Sequence, residues 1–128
     1  MESSHKSKSG LVRIWRAMFY SADGFLAAIK HEHAFRQELL LCAVLLPFAL
    51  WLPLIPMERA VLIAALLLVL IVELINSSIE AIVDRVSLEN HDLSKRAKDL
   101  GSAAVFLSLT MVAVMWILIA GPAMAKLF

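Results

Sequence analysis

Polar and apolar positions divide the chain into four stretches with different rhythms. In residues 10–31, Leu11, Ile14, Trp15, Met18, Phe25, Leu26 and Ile29 recur at helical spacing, with Arg13, Arg16, Tyr20 and Asp23 largely between them. This pattern predicts an amphipathic helix lying in a membrane interface, with Gly24 as a candidate bend. The other three stretches are continuously apolar. "LLLCAVLLPFALWLPLIP" (39–56) is interrupted by Pro47, "AVLIAALLLVLIV" (60–72) has no polar side-chain atom, and "AAVFLSLTMVAVMWILIAGPAMA" (103–125) has Gly121 and Pro122 near its end. With a turn borrowed from its flanks, each can cross about 30 Å of hydrocarbon. The expectation is an all-α membrane protein with one domain over 1–128: a surface helix at 10–31 and spans at about 35–55, 60–86 and 94–125. Ser108 and Thr110 are expected to bond back to the preceding turn. Asp92 or Ser94 is the expected cap of the last helix.

The second span does not end cleanly. It runs into "VELINSSIEAIVDRV" (72–86), where Glu73, Asn76, Glu80 and Asp84 share one helical stripe. An ionisable side chain at mid-bilayer costs at least about 2.5–3.5 kcal/mol, so the stripe needs a reason. With the span starting near residue 60, Glu73 lies about 20 Å along a path of about 30 Å, and Glu80 reaches the boundary with water.

Composition sharpens the membrane reading. Hydrophobic residues make up 61% of the 128, against about 45–50% in soluble domains, and the mean hydropathy is +0.81. The net charge of +1 offers nothing to nucleic acid. Cys42 is the single cysteine, which excludes an intrachain disulfide and a cysteine metal site; it reads as a small apolar side chain. "MESSHKSKSG" leads into an amphipathic stretch rather than an apolar core with a cleavage site, so no cleaved signal peptide is expected. Ten of the 12 Lys and Arg residues fall before the first span or between the second and third; Arg59 and Lys126 are the exceptions. The N-terminus and the 87–105 loop are therefore expected on the cytoplasmic side, with "PLIPMER" and the C-terminus on the periplasmic side.

The polar residues suggest chemistry. Two carboxylates at a water boundary can hold Mg²⁺, which takes oxygen ligands and often completes its shell with substrate phosphates. A nearby lysine can hold phosphoryl oxygens as a point charge. A deeper, poorly hydrated carboxylate can accept a proton from a hydroxyl. Together these are the parts of phosphoryl transfer. GxxxxGK[ST], GxGxxG, HRD and DFG are all absent from the sequence, so any nucleotide site must be built from side chains. "KHEHAFRQELL" adds Glu32 and Arg36 on one face at i, i+4. His31 and His33 point to opposite faces and lack metal-ligand spacing, and His5 lies in the polar tail. From pattern alone, a membrane enzyme and an ion pathway both stay open.

"RQELL", "VELINSSIEAIVDRV" and "HDLSKRAKDLGSAAV" resemble the bacterial integral-membrane diacylglycerol kinase family, over essentially residues 10–125. The resemblance implies an inner-membrane homotrimer with shared active sites, which transfers the γ-phosphoryl group of MgATP to the hydroxyl of diacylglycerol and forms phosphatidic acid. It implies Glu73 as catalytic base and Glu32 and Glu80 as the Mg²⁺ carboxylates. Arg13, Tyr20, Glu32, Glu80, Glu89, Asn90, His91, Lys98 and Asp99 match nucleotide-contacting positions. Arg36, Gln37, Asn76 and Ser102 match polar positions lining the site and lipid cleft. "YSADG" departs from the family, in which tryptophan commonly follows Tyr-Ser; Trp15 is the candidate replacement anchor. Undecaprenol kinase, from a sister branch, is the close alternative. A small cation or proton pathway is the alternative from another class.

Overall fold

The computed structural model describes the backbone of residues 4–86 and 91–128, and the side chains of residues 10–86 and 91–128. Four helices follow one another: α1 (Ser4–His31), α2 (His33–Trp51), α3 (Pro56–Val86) and α4 (Asp92–Ala125). The all-α expectation holds, and α2, α3 and α4 are each long and apolar enough to cross a membrane. The chain divides into two units, Met1–His33 and Ala34–Phe128.

The first unit is α1. It begins six residues earlier than the apolar periodicity suggests and runs through Gly24 without interruption. A helical glycine costs only about 1 kcal/mol relative to alanine, less than breaking the backbone ladder on both sides. Its apolar face is exposed, and Trp15 and Phe19 meet edge to face with centroids 5.5 Å apart. Lys30 and His31 occupy the last turn, where positive charge complements the helix dipole.

In the second unit, α2 ends at Trp51 rather than near residue 55. Leu52 precedes Pro53, and a residue before proline is pushed out of the helical region. Pro47 does not break α2, although it removes the amide that residue 43 would otherwise accept from. The α2–α3 turn is held by Arg59. Its guanidinium donates to the carbonyls of Ala49 (2.6 Å) and Leu50 (2.7 Å), and at longer range to those of Leu52 (3.4 Å) and Leu54 (3.3 Å). The first two are carbonyls that a helix C-terminus leaves without an intrahelical partner. The Leu52 amide satisfies a third, that of Phe48. α3 starts four residues before the expected 60 because Pro56 suits a first helical position, and Glu58 accepts from the Ile55 amide at 3.1 Å.

The N-cap of α4 is His91, not Asp92 or Ser94: His91 Nδ1 accepts from the Leu93 amide at 3.1 Å. A neutral imidazole nitrogen does what a hydroxyl or carboxylate oxygen usually does at that place. Ser108 and Thr110 bond back to the carbonyls of Val105 (2.7 Å) and Phe106 (2.9 Å), as expected. α3 packs against α4. Ala65, Leu66 and Val69 meet Val112 in one cluster, and Ala49, Leu52 and Leu62 meet Ala120 and Ala123 in the other. The many small side chains let backbones approach closely, which is what holds helices together where lipid removes the drive to exclude water. Cys42 donates to the Leu66 carbonyl at 3.6 Å and packs beside the first cluster. Phe106, Ile117 and Leu118 are exposed, as lipid-facing side chains would be.

Candidate active site

α3 is 31 residues long, about 46 Å at 1.5 Å per residue, so it outruns a hydrocarbon layer of about 30 Å. The polar stripe occupies its last four turns, and burial falls along it. Glu73 is 3% exposed and Asn76 7% exposed, Ser77 and Glu80 are half-buried, and Asp84 is exposed. Helical spacing pairs these residues. Ser77 Oγ donates to Glu73 Oε1 at 3.3 Å, and Asn76 Nδ2 donates to Glu80 Oε1 at 3.5 Å. Both bonds are long and therefore weak.

α4 closes the exposed end. Lys98 Nζ lies 2.5 Å from Asp84 Oδ1, so a cation stands one helical turn beyond Glu80. Lys95 pairs with Asp99 at 2.6 Å along α4. Asp84 is thus paired across to α4 rather than with its neighbour Arg85. Deeper in, Gly101 of α4 faces the Asn76 amide, and Ser102 beside it is exposed.

α2 supplies a residue that sequence reasoning passed over. Glu38 is 7% exposed, and its Oε2 has no hydrogen-bond partner among the described residues. It is close enough to Glu73 for the two carboxylates to interact electrostatically. Two acids this poorly hydrated are expensive, and a buried acceptor without a donor adds to the cost. The signal was available in the sequence: Glu38 opens an apolar run inside the first expected span, where any ionisable residue is suspect. Arg36 and Gln37 precede it on α2, the first half-buried and the second exposed.

In the other unit, Arg13 and Tyr20 are exposed on α1, and Glu32 is the half-buried residue between α1 and α2. Glu89 and Asn90 lie outside the described residues. His91 is engaged as the cap of α4. The structure therefore brings together Glu73, Asn76, Glu80 and Asp84 of the stripe with Lys98, and adds Glu38, Ser77 and Gly101.

Among the described residues, no group of three or more His, Cys, Asp and Glu side chains could hold a metal ion by itself. What the stripe offers is carboxylate oxygen at a partly hydrated position. That suits a hard divalent cation, such as Mg²⁺, that draws its other ligands from water and phosphate.

Residues 19–120 match the family model described as prokaryotic diacylglycerol kinase. The diacylglycerol kinase of Pseudomonas aeruginosa is 58% identical over 114 residues, which cover 89% of this chain and 93% of that protein. The diacylglycerol kinase of Escherichia coli K12 is 44% identical over 108 residues (84% and 88%), and that of Haemophilus influenzae 42% identical over 108 residues (84% and 92%).

Proposed function

The chain belongs to the prokaryotic diacylglycerol kinase family and is a kinase; on that premise we propose that it transfers the γ-phosphoryl group of MgATP to the free hydroxyl of diacylglycerol at the cytoplasmic face of the inner membrane. The products are phosphatidic acid and ADP. The observation that carries this reading is the graded stripe on α3, running from a buried carboxylate to an exposed, cation-flanked end. A lipid hydroxyl approaches from the apolar side and a triphosphate from water, and the stripe spans the distance between them.

Glu73 takes the proton of the lipid hydroxyl as its oxygen forms the new bond to the γ-phosphorus. The bond from that phosphorus to the bridging oxygen breaks, and ADP leaves with the electron pair. The low hydration that makes Glu73 expensive also makes it a competent proton acceptor. Ser77 would offer one weak donor to Glu73, and Asn76 one to Glu80. Glu38 Oε2, which has no hydrogen-bond partner among the described residues, would accept from the lipid hydroxyl. Lys98, Arg13, Tyr20, His91, Asp99, Glu89 and Asn90 are assigned to the nucleotide, and Arg36, Gln37 and Ser102 to the lining of the site. Glu80 and Glu32 would hold Mg²⁺, which supplies charge neutralisation of the phosphate oxygens when bound. A homotrimer with sites shared between subunits would close the thin wall that one chain provides. α1 would lie on the cytoplasmic surface, with the C-terminus periplasmic.

The side chains of residues 60–72 are all apolar, so no polar relay continues past Glu73, and the ion-pathway reading has nothing to run along. The test is phosphate transfer from γ-labelled MgATP in mixed lipid–detergent micelles, with diacylglycerol and undecaprenol offered in parallel. Label in phosphatidic acid is the expected result. Label mainly in undecaprenyl phosphate keeps the mechanism and replaces the acceptor. No label in either, from folded protein, rejects the proposal.

A further inference from the structure

The chain contains four glycines, and three of them have room to spare. A Cβ built at Gly10, Gly24 or Gly121 would meet nothing within 4 Å. At Gly101 it would overlap Asn76 Oδ1 and lie 3.3 Å from Asn76 Cγ. Gly101 does not adopt a positive φ, so its backbone conformation does not require glycine. What requires it is the approach of the Asn76 side chain. The Asn76 NH₂ lies 3.5 Å from Glu80 Oε1, and the amide oxygen lies toward α4, where it is buried without a hydrogen-bond donor among the described residues.

We propose that Gly101 is a positioning residue: by lacking a side chain it lets the Asn76 amide lie flat against α4, and so fixes the donor that Asn76 presents to Glu80. This goes beyond the kinase reading but rests on it for the consequence in turnover. The atom that a Cβ would strike is the far end of a flexible side chain, not backbone. A chain with Gly101→Ala therefore keeps its helices and loses the place of the amide. The Glu80 carboxylate then loses its donor, and a displacement of about 1 Å in a catalytic arrangement is worth up to about 10²-fold in rate.

Three variants test this: Gly101→Ala, Asn76→Ala, and the two together. Gly101→Ala is expected to lower kcat by about tenfold or more, together with a lower thermal unfolding midpoint. Asn76→Ala is expected to lower kcat similarly. The double variant should be no slower than Asn76→Ala alone, because Gly101 acts through that side chain, and it should recover the lost midpoint, because alanine at 76 leaves room for the added methyl. Losses in the double variant equal to the product of the single losses would overturn the proposal. So would Gly101→Ala activity within about twofold of the parent. If Gly101→Ala fails to fold, folding recovered by adding Asn76→Ala supports the contact, and folding not recovered refutes it. The midpoint needs no substrate, so a parent inert toward diacylglycerol rejects the kinase reading alone, and the Gly101 contact then stands or falls on the unfolding data.

Discussion

The two ends of α3 treat polar groups in opposite ways. Near Pro56, Arg59 makes contacts of 2.6 and 2.7 Å to helix-end carbonyls, and the Glu58 carboxylate takes the Ile55 amide at 3.1 Å. Charge there is spent on closing backbone valences that a helix end leaves open. Toward Val86, the side-chain bonds within the stripe are 3.3 and 3.5 Å, and the oxygens of Glu38 and Asn76 have no donors among the described residues. A satisfied polar group has finished its work on folding, whereas a buried one held loosely is a cost that folding alone does not explain. The same helix thus carries a structural joint at one end and, on the proposed reading, a reactive surface at the other.

The largest effect that would sharpen this contrast is at Glu73. Glu73→Gln keeps shape and hydrogen-bonding capacity but removes charge and proton acceptance. Turnover should fall by about 10²–10⁴-fold with nucleotide binding retained. Steady-state kinetics beside an ATP-binding measurement decides it; more than about a tenth of the parent rate rejects the base role. At the other end, Arg59→Met should do the reverse. It strands the carbonyl of the buried Ala49, at about 1–3 kcal/mol, and removes the donor from the exposed carbonyl of Leu50. The unfolding midpoint should drop while kcat per folded molecule stays within about twofold. A normal midpoint with lost turnover would break the division between the two ends.

Much of this was legible in the sequence. The apolar runs determine α2, α3 and α4 because length and composition alone decide whether a helix can cross a bilayer. The α3 stripe could be read because helical spacing places Glu73, Asn76 and Glu80 on one face before any neighbour is known. What escaped were relations between helices and local choices at their ends. Glu38 is suspect in the sequence as an ionisable residue within a span. Its link to Glu73, like that of Gly101 to Asn76, appears only when α2 and α4 are in place, and no periodicity encodes that register. His91 was missed as a cap because an imidazole is a less common acceptor there than the Asp92 and Ser94 beside it. The role of Arg59 was invisible for a similar reason: its partners are backbone carbonyls, which every sequence has.

Smaller effects divide the exposed end of the stripe itself, where two lysine–carboxylate pairs look alike by distance. Lys98 reaches across from α4 to Asp84 at 2.5 Å, one turn beyond Glu80, whereas Lys95 pairs along its own helix with Asp99 at 2.6 Å. If Lys98 serves the triphosphate, Lys98→Ala should raise KM for MgATP, lower kcat, or both; unchanged values for both would remove it from the site.

Lys95→Ala should do least. An exposed pair at i, i+4 is worth about 0.3–0.5 kcal/mol, and salt screens most of it. The unfolding midpoint should hardly move. Its informative readout is KM for MgATP, because removing Lys95 leaves the Asp99 carboxylate without the ammonium that neutralises it. Were Asp99 to meet the nucleotide through a hydrogen-bond donor, such as a ribose hydroxyl or a base amine, its release would lower KM. Were it to face the phosphates, the uncovered negative charge would raise KM, and added salt would shrink the difference. A KM that does not respond to Lys95→Ala at low or high salt would place Asp99 outside the nucleotide's reach. The reactive surface would then end at Lys98.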